Sequence, residues 1–481
     1  MIAETKNEAP HHLESMFHPR SIAVAGASED PRNDGNRYLR QLIEAGYRGL
    51  LHAVNPKGGL VLGRPAHKSV RDITEEVDCV VSCVPAPALE ALVDDCIAKG
   101  VRHIFCYTAR LAETGEEERR QAEARIAAKV KAAGVRLVGP NCMGVYYPAG
   151  GLTFRFSFPR ESGRVGFISQ SGGNSVELAY SGSGRGLRFS KIVSYGNGAD
   201  VNETELLDYF LHDEETSIIA LYIEGVRDPA RFFATLRRAA AAKPLAVMKG
   251  GRGAAGSRAA RTHTASMAGE NRLWEAACRQ AGAIWVYTVE ELADVLLALT
   301  FLPLARGPRV AVLGGGGGAV VSAADLCEAE GLIVPPLPED ALAKLQGLAR
   351  DRLSLLGNPL DESVMGGPSD LYRTLCRLLS ESPDIDVLIG RVTADWHLDE
   401  RAGQARLAQA ADTYVELSRG SGKPVAVVLG ASDSTESWRW GVVAELQDRC
   451  RRARLPVYPS FQRAARALGH FVRHSIAQPR V

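Results

Sequence analysis

Three times along this chain a short apolar run ends in a glycine-bearing turn and then passes into a helical pattern. Ser21–Ala25 is followed by Gly26-Ala27-Ser28, residues 164–169 by Gln170-Ser171-Gly172-Gly173, and Val310–Leu313 by the glycine run 314–318. A continuous apolar run of this length reads as a strand buried on both faces. A helix after each such strand implies right-handed βαβ units around a parallel sheet. The fold class is therefore α/β, and 481 residues are too many for one core, at roughly 150 residues per domain.

The remaining punctuation divides the chain into three segments. The first, 1–148, alternates strand-like runs at 21–25, 50–54, 77–84, 103–107 and 136–138 with helical patterns at 38–45 and 87–99, and opens like a Rossmann domain. The second, 149–305, has runs at 164–169, 192–194, 217–223 and 245–249 and closes on an amphipathic pattern at 289–299. The third, 306–481, follows a Pro/Arg/Gly linker at 303–308 and has runs at 310–313, 387–389 and 425–429. Because the second and third open alike, they read as two flavodoxin-like, doubly wound domains. In the first turn the full G-x-G-x-x-G is absent, so a ligand-free tight turn stands level with a ligand-binding one on the motif alone.

Composition narrows the class of function. A formal charge of +1 gives no bulk attraction to nucleic acid or an anionic membrane. The cysteines number nine, show no CxxC spacing, and sit mostly in apolar runs, as buried thiols of a reducing compartment do. With no apolar core near the N-terminus and no long apolar stretch, the expected location is the cytoplasm. His11, His12 and His18 resemble a metal cluster, but a polar, loosely ordered terminus is the plainer reading.

Several local motifs then line up in order: Ser21-Ile-Ala-Val-Ala-Gly-Ala-Ser28, Val54-Asn-Pro-Lys57, Cys83-Val-Pro85, Gly139-Pro-Asn-Cys-Met-Gly144, Ile168-Ser-Gln-Ser-Gly-Gly173, Ser194-Tyr-Gly-Asn197, Tyr222-Ile-Glu224, Thr262-His-Thr264 and Asn358-Pro-Leu-Asp361. Together they resemble the NDP-forming acyl-CoA synthetase family, which includes the α subunits of succinyl-CoA synthetase and of ADP-forming acetyl-CoA synthetase. The resemblance spans nearly the whole chain.

It implies that the first domain binds coenzyme A at the carboxyl end of its sheet, where a doubly wound sheet also puts a ligand on physical grounds. Gly26, Ala27 and Ser28 would allow close backbone approach and offer amides to phosphate. Lys57 would supply a charge, Val84 and Pro85 would border the adenine or pantetheine, and Asn141 would bond the pantetheine arm near the thiol. Cys142 reads as a structural thiol. The resemblance further implies that His263 carries a phosphoryl group, for which a neutral imidazole is a suitable nucleophile near neutral pH. Glu224 would orient its ring, and Ser169, Ser171, Gly172 and Gly173 would cradle the phosphate at a helix start. Lys249, Arg252, Arg258 and Arg261 make the histidine stretch basic, mostly as solvated charges. Ala265 departs from the family's usual glycine two residues after the histidine. Asn358, Pro359 and Asp361 would shape a turn, and Trp438 and Trp440 would serve a core or an interface.

No stretch resembles the ATP-grasp domain that binds ATP or another NTP with Mg2+, so a β-type partner subunit is expected to carry it, within a homo- or hetero-oligomer. The substrates would be a small carboxylic acid and CoA, and no resident metal is implied. Two other readings stay open: a non-catalytic CoA-binding or regulatory paralogue, and a related CoA-dependent acyl or carbamoyl transferase.

Overall fold

The computed structural model describes residues 11–253, 255–256, 271–337, 339, 343–344, 357–361, 370–393, 400–431 and 434–478. Arg258, Arg261, His263 and Ala265 lie outside the described residues. β1 (Ser21–Ala25) pairs in parallel with β2 (Leu50–Val54) on one side and β5 (Cys79–Ser82) on the other. β4 (Arg64–His67) extends the sheet beyond β2, and β6 (His103–Cys106) and β7 (Arg136–Val138) extend it beyond β5. A two-residue strand, β3 (Leu60–Val61), closes one edge antiparallel to β4. Leaving that edge aside, the order β4-β2-β1-β5-β6-β7 is the 3-2-1-4-5-6 pattern of a Rossmann sheet.

The second sheet is built from β9 (Val165–Ser169), β10 (Phe189–Ser194), β11 (Ile218–Ile223), β12 (Leu245–Lys249) and β13 (Ile284–Val286), all parallel. They run β13-β12-β11-β9-β10, which is the 2-1-3-4-5 order of flavodoxin-like sheets. A strand with no sequence signal, β8 (Gly144–Tyr146), adds an antiparallel edge against β10. Three residues are too few for any periodicity to register.

In the third sheet, β14 (Val310–Leu313), β15 (Val387–Arg391), β16 (Val425–Val428) and β17 (Val457–Tyr458) follow one another. On the free side of β14, Leu360 makes a parallel bridge to Leu313. Counted as the second strand, it restores the order 2-1-3-4-5. Asn358 acts there as a ladder: Oδ1 accepts the Val312 N–H at 2.9 Å, while Nδ2 donates to Val310 O at 2.9 Å and Pro335 O at 2.8 Å. It splints a strand edge as well as bordering a turn.

Two compact units result. Met1–Ser183 with Arg188–Leu292 forms the first, which contains the first two sheets. Gly184–Leu187 with Ala293–Val481 forms the second, which contains the third sheet. Around the first two sheets lie α1 (Asp34–Ala45), α2 (Ala86–Lys99), α3 (Glu117–Ala132), α4 (Gly172–Gly184), α5 (Glu203–His212) and α6 (Pro229–Ala242). α1 begins at Asp34 because Asn33 caps it, Oδ1 accepting the Asn36 N–H at 2.9 Å.

Two expectations are corrected. From His11 onward the terminus is packed, with Leu13, Met16 and Phe17 buried and the Phe17 ring stacked on Tyr209 at 4.7 Å. His11 and His12 face Asp208 and Glu205 at 3.5 and 3.2 Å, and no metal-holding group of His, Cys, Asp or Glu occurs among the described residues. The helix Val289–Phe301 is not amphipathic, since the run 291–298 is buried without a break. Its Asp294 is tolerated inside because Arg185 and Arg463 each reach it at 2.6 Å. Trp440 is 55% exposed and belongs to no core, whereas Trp438 packs against one. No described helix is long and apolar enough to cross a membrane.

Candidate functional site

In a doubly wound sheet the ligand crevice opens at the carboxyl ends of the strands, where the strand order reverses. In the first sheet that point lies between β1 and β5, and the chain leaves β1 through Gly26 with φ of +87°. A Cβ at Gly26 would stand 2.6 Å from the Cys83 carbonyl oxygen, and one at Gly35 would stand 2.7 Å from Ala27 Cα. The first glycine lets the strand ends converge and the second lets α1 start against the turn, so Gly26 and Gly35 do what a G-x-G-x-x-G does elsewhere.

The turn's amides are less available than the sequence suggests. Gly26 N–H donates to Val54 O at 2.9 Å and Ser28 N–H to Asn33 Oδ1 at 3.2 Å. What remains for a ligand is the side-chain-free approach, with α1 behind it. Asn55, which the sequence reading gave no role, ties the β1 and β2 turns together by donating from Nδ2 to Ala27 O at 2.8 Å. Lys57 follows on the same loop and is exposed. Val84 is half-buried and Pro85 exposed at the start of α2, and Thr108 Oγ1 donates to Val84 O at 2.8 Å. A crevice of strand-end backbone, one exposed lysine and an apolar lip suits the phosphate and adenine portions of CoA.

In the second sheet the reversal falls between β9 and β11. Ser169 is in register with Tyr222, so the turn 169–173 and Glu224 emerge side by side. Gln170, fully inside the motif yet given no role by sequence reasoning, links them: its Oε1 accepts the Glu224 N–H at 2.8 Å. Ser169 Oγ donates to Ser171 O at 2.7 Å, and Ser171 Oγ accepts the Asn174 N–H at 3.2 Å. Both hydroxyls therefore shape the turn. The Gly172 and Gly173 N–H groups, at the start of α4, find no acceptor among the described residues. Two free amides at a helix start form an anion site, each charge there being worth about 0.3–1 kcal/mol when exposed.

Glu224 is held by one oxygen. Its Oε1 accepts the Tyr222 hydroxyl at 3.0 Å, while its Oε2 is buried and has no partner among the described residues. A buried carboxylate oxygen left unpaired costs enough that a donor is expected for it. Lys249 is not that donor. It is buried rather than solvated, gives its ammonium to Gly250 O at 2.6 Å, and lies over the Trp274 ring at 5.6 Å. Arg252 is bound to Tyr287 O at 2.7 Å.

The two crevices are joined by one strip of backbone. Asn141, with φ of +57°, donates its N–H to Thr108 O at 2.9 Å. Asn197 and Ala199 donate to Pro140 O and Gly139 O, both at 2.9 Å. Met143 N–H reaches Ser194 Oγ at 3.1 Å, and a Cβ at Gly172 would lie 2.8 Å from Met143 Cγ. Asn141 is therefore set between the first crevice and the start of α4. Cys142 beside it is buried, which pushes its thiol up to about 12, and it donates to Cys106 O and Val138 O at 3.3 Å. It is a packing residue.

Residues 20–148 match the family described as CoA binding domain, and residues 162–299 the family described as succinyl-CoA ligase like flavodoxin domain. The chain is 36% identical over 378 residues to the α subunit of acetate–CoA ligase [ADP-forming] II of Pyrococcus furiosus, covering 78% of this chain and 81% of the relative. It is 32% identical over 471 residues to the α subunit of the corresponding ligase I of the same organism, covering 96% and 98%. It also resembles the solved dinucleotide-forming acetyl-coenzyme A synthetase 1 of Candidatus Korarchaeum cryptofilum, in complex with phosphate and ADP. That likeness has a TM-score of 0.81 and 31% identity over 96% of this chain and 97% of the other.

Proposed function

The chain belongs to the NDP-forming acyl-CoA synthetases as a member of α-subunit type, and on that footing we propose that it binds CoA and relays a phosphoryl group through His263. It is an acid–thiol ligase that joins a carboxylic acid to CoA while an NTP becomes NDP and phosphate. Its domains divide the work as 1–148 for CoA, 149–305 for the phosphoryl relay and 306–481 as a second flavodoxin-like unit. A β-type partner carries the nucleotide site with its Mg2+. The nine free thiols suit a cytoplasmic enzyme.

The observation that carries this reading is the buried Oε2 of Glu224, without a partner among the described residues, next to a helix start whose first two amides find no acceptor among them. An imidazole N–H donated to that oxygen fixes the tautomer of His263, leaving the other ring nitrogen's lone pair to attack phosphorus. In the forward direction His263 takes the γ-phosphoryl of the NTP, forming a P–N bond as the NDP oxygen leaves. The acid's carboxylate then attacks phosphorus and the neutral imidazole departs, giving acyl phosphate. The CoA thiol, held beside Asn141, attacks the acyl carbon; the acyl–phosphate bond breaks and the thiol proton leaves with phosphate. The Gly172 and Gly173 amides stabilise the phosphoryl oxygens throughout.

The test incubates the chain and its partner with γ-labelled ATP and looks for acid-labile, base-stable label. His263→Asn should abolish the label, His212→Asn at an exposed position should keep it, and omission of the partner should abolish it. Undiminished label in His263→Asn would overturn the relay.

A further inference from the structure

Glu224 is useful to a histidine only if its free oxygen stays free and correctly aimed, and the surroundings of the residue show how that is achieved. Tyr222 and Glu224 are two apart on one strand end and so project to the same face of the sheet. Tyr222 is 8% exposed, and its hydroxyl donates to Glu224 Oε1 at 3.0 Å. Gln170 Oε1 accepts the Glu224 N–H at 2.8 Å and Gln170 N–H donates to Tyr222 O at 3.0 Å, so Gln170, Tyr222 and Glu224 form one bonded cluster beside the turn that leads into α4. Gly250 seals its far side, for a Cβ there would lie 2.4 Å from the Tyr222 hydroxyl and 3.1 Å from Glu224 Cγ.

We infer that Tyr222 is a positioning residue of the phosphoryl relay, whose hydroxyl holds Glu224 by one oxygen and leaves the other free for the imidazole. The inference rests on the proposed role of Glu224. A phenylalanine would fill the same space without needing a partner, so the hydroxyl's presence in a nearly buried position calls for a use. Burial first, and then Glu224, push the phenol's pKa up. It therefore stays protonated at neutral pH and acts towards the carboxylate only as a donor. The two anchors act on one residue: the hydroxyl holds a carboxylate oxygen, and Gln170 holds the Glu224 N–H to the turn that leads into α4.

The experiment uses the full chain with its partner and compares Tyr222→Phe, Glu224→Gln and the double variant by rapid-quench labelling with γ-labelled ATP, alongside KM for CoA. Loss of one hydrogen bond to a charged group corresponds to about a tenfold to hundredfold fall in labelling rate. Tyr222→Phe should show that fall with KM for CoA unchanged, and should add nothing in the Glu224→Gln background. Independent, multiplying losses would overturn the inference, as would wild-type labelling by Tyr222→Phe beside a silent Glu224→Gln. Wild-type labelling by Glu224→Gln would instead sink the role of Glu224 itself. Should Tyr222→Phe fail to fold, Gln170→Leu removes the other anchor of Glu224, the acceptor of its N–H, and should slow labelling with KM for CoA unchanged. No change in it would then count against a positioned Glu224.

Discussion

Gly26 offers a way to separate two costs that are usually confounded, because Gly46 in the same domain supplies a matched control. Gly26 has φ of +87° and Gly46 φ of +81°, so alanine at either position carries a left-handed strain of about 1–2 kcal/mol. At Gly46, the αL cap of α1, an added Cβ meets nothing within 4 Å. At Gly26 it meets Cys83 O at 2.6 Å, Cys83 C at 2.9 Å and Val84 N at 3.1 Å. Those atoms cannot simply move off. Gly26 N–H is bound to Val54 O and Cys83 N–H to Ala25 O, both at 2.9 Å, so relief must pull β1 from β5 where the strand order reverses. Overpacking of this kind adds about 1–3 kcal/mol.

Gly46→Ala should therefore cost the strain alone, whereas Gly26→Ala should cost roughly 2–5 kcal/mol and widen the proposed CoA crevice. Hydrogen exchange of the 21–25 and 79–82 amides reports the local loss, which suits a chain of two units better than a single melting curve. Calorimetric titration with CoA reports the crevice. We expect Gly26→Ala to bind CoA at least about tenfold more weakly, equivalent to about 1.4 kcal/mol, and Gly46→Ala to stay within about twofold. Wild-type affinity in Gly26→Ala would refute the crevice, and equal exchange in both variants would refute the steric argument.

Two further outcomes follow from buried charge. His103 is 3% exposed, and burial first, then Arg102 and Arg136, lower its pKa from 6.5 to about 4. The folded state thus favours the neutral ring, so its contribution is present above pH 6.5 and is lost as pH falls towards 4, on the order of 2 kcal/mol by about pH 5. Urea midpoints should show this acid sensitivity flattened in His103→Gln; parallel midpoints would refute it. In the second unit, Asp294→Ala leaves Arg185 and Arg463 without their shared carboxylate and should lower that unit's unfolding free energy by about 3–5 kcal/mol. A loss below about 1 kcal/mol, the range of a surface pair, would show that water replaces the carboxylate.

How much of this was readable in the sequence depended on whether a feature was local. Ser21–Ala25, Leu245–Lys249 and Val310–Leu313 are buried on nearly all faces and so announce themselves as apolar runs. β8 and β17 hold two or three residues each, and what makes them strands is a neighbour distant in sequence. The engaged amides of Gly26 and Ser28 were not readable, because their acceptors are Val54 O and Asn33 Oδ1. Glu290, Glu291 and Asp294 made 289–299 look half solvated, and only Arg185 and Arg463 explain how the acid at 294 lives inside. Tyr222 was in plain view in Tyr222-Ile-Glu224. Alternation along a strand would have put it on the carboxylate's face, had that strand end been read for period rather than for motif.

The arrangement also says which parts of the reaction the first unit fixes by backbone alone. Asn141 and the start of α4 hang on different sheets, yet the bonds from Asn197, Ala199 and Val201 to Pro140, Gly139 and Leu137, at 2.9, 2.9 and 3.1 Å, stitch the strip between them. A side chain at Gly196 would come within 2.2 Å of Pro140 O, so the two loops are in contact with no room to slide. The thiol end of the proposed CoA site and the proposed phosphoryl cradle are thus held at one spacing. The proposed acyl phosphate chemistry needs such a spacing: the acyl carbon would stay near the thiol while the phosphoryl oxygens stay on the Gly172 and Gly173 amides, with no entropy lost in bringing the two together at each turnover. In the proposed relay the imidazole docks on Glu224 Oε2, which has no partner among the described residues, while Tyr222 holds the same carboxylate by its other oxygen.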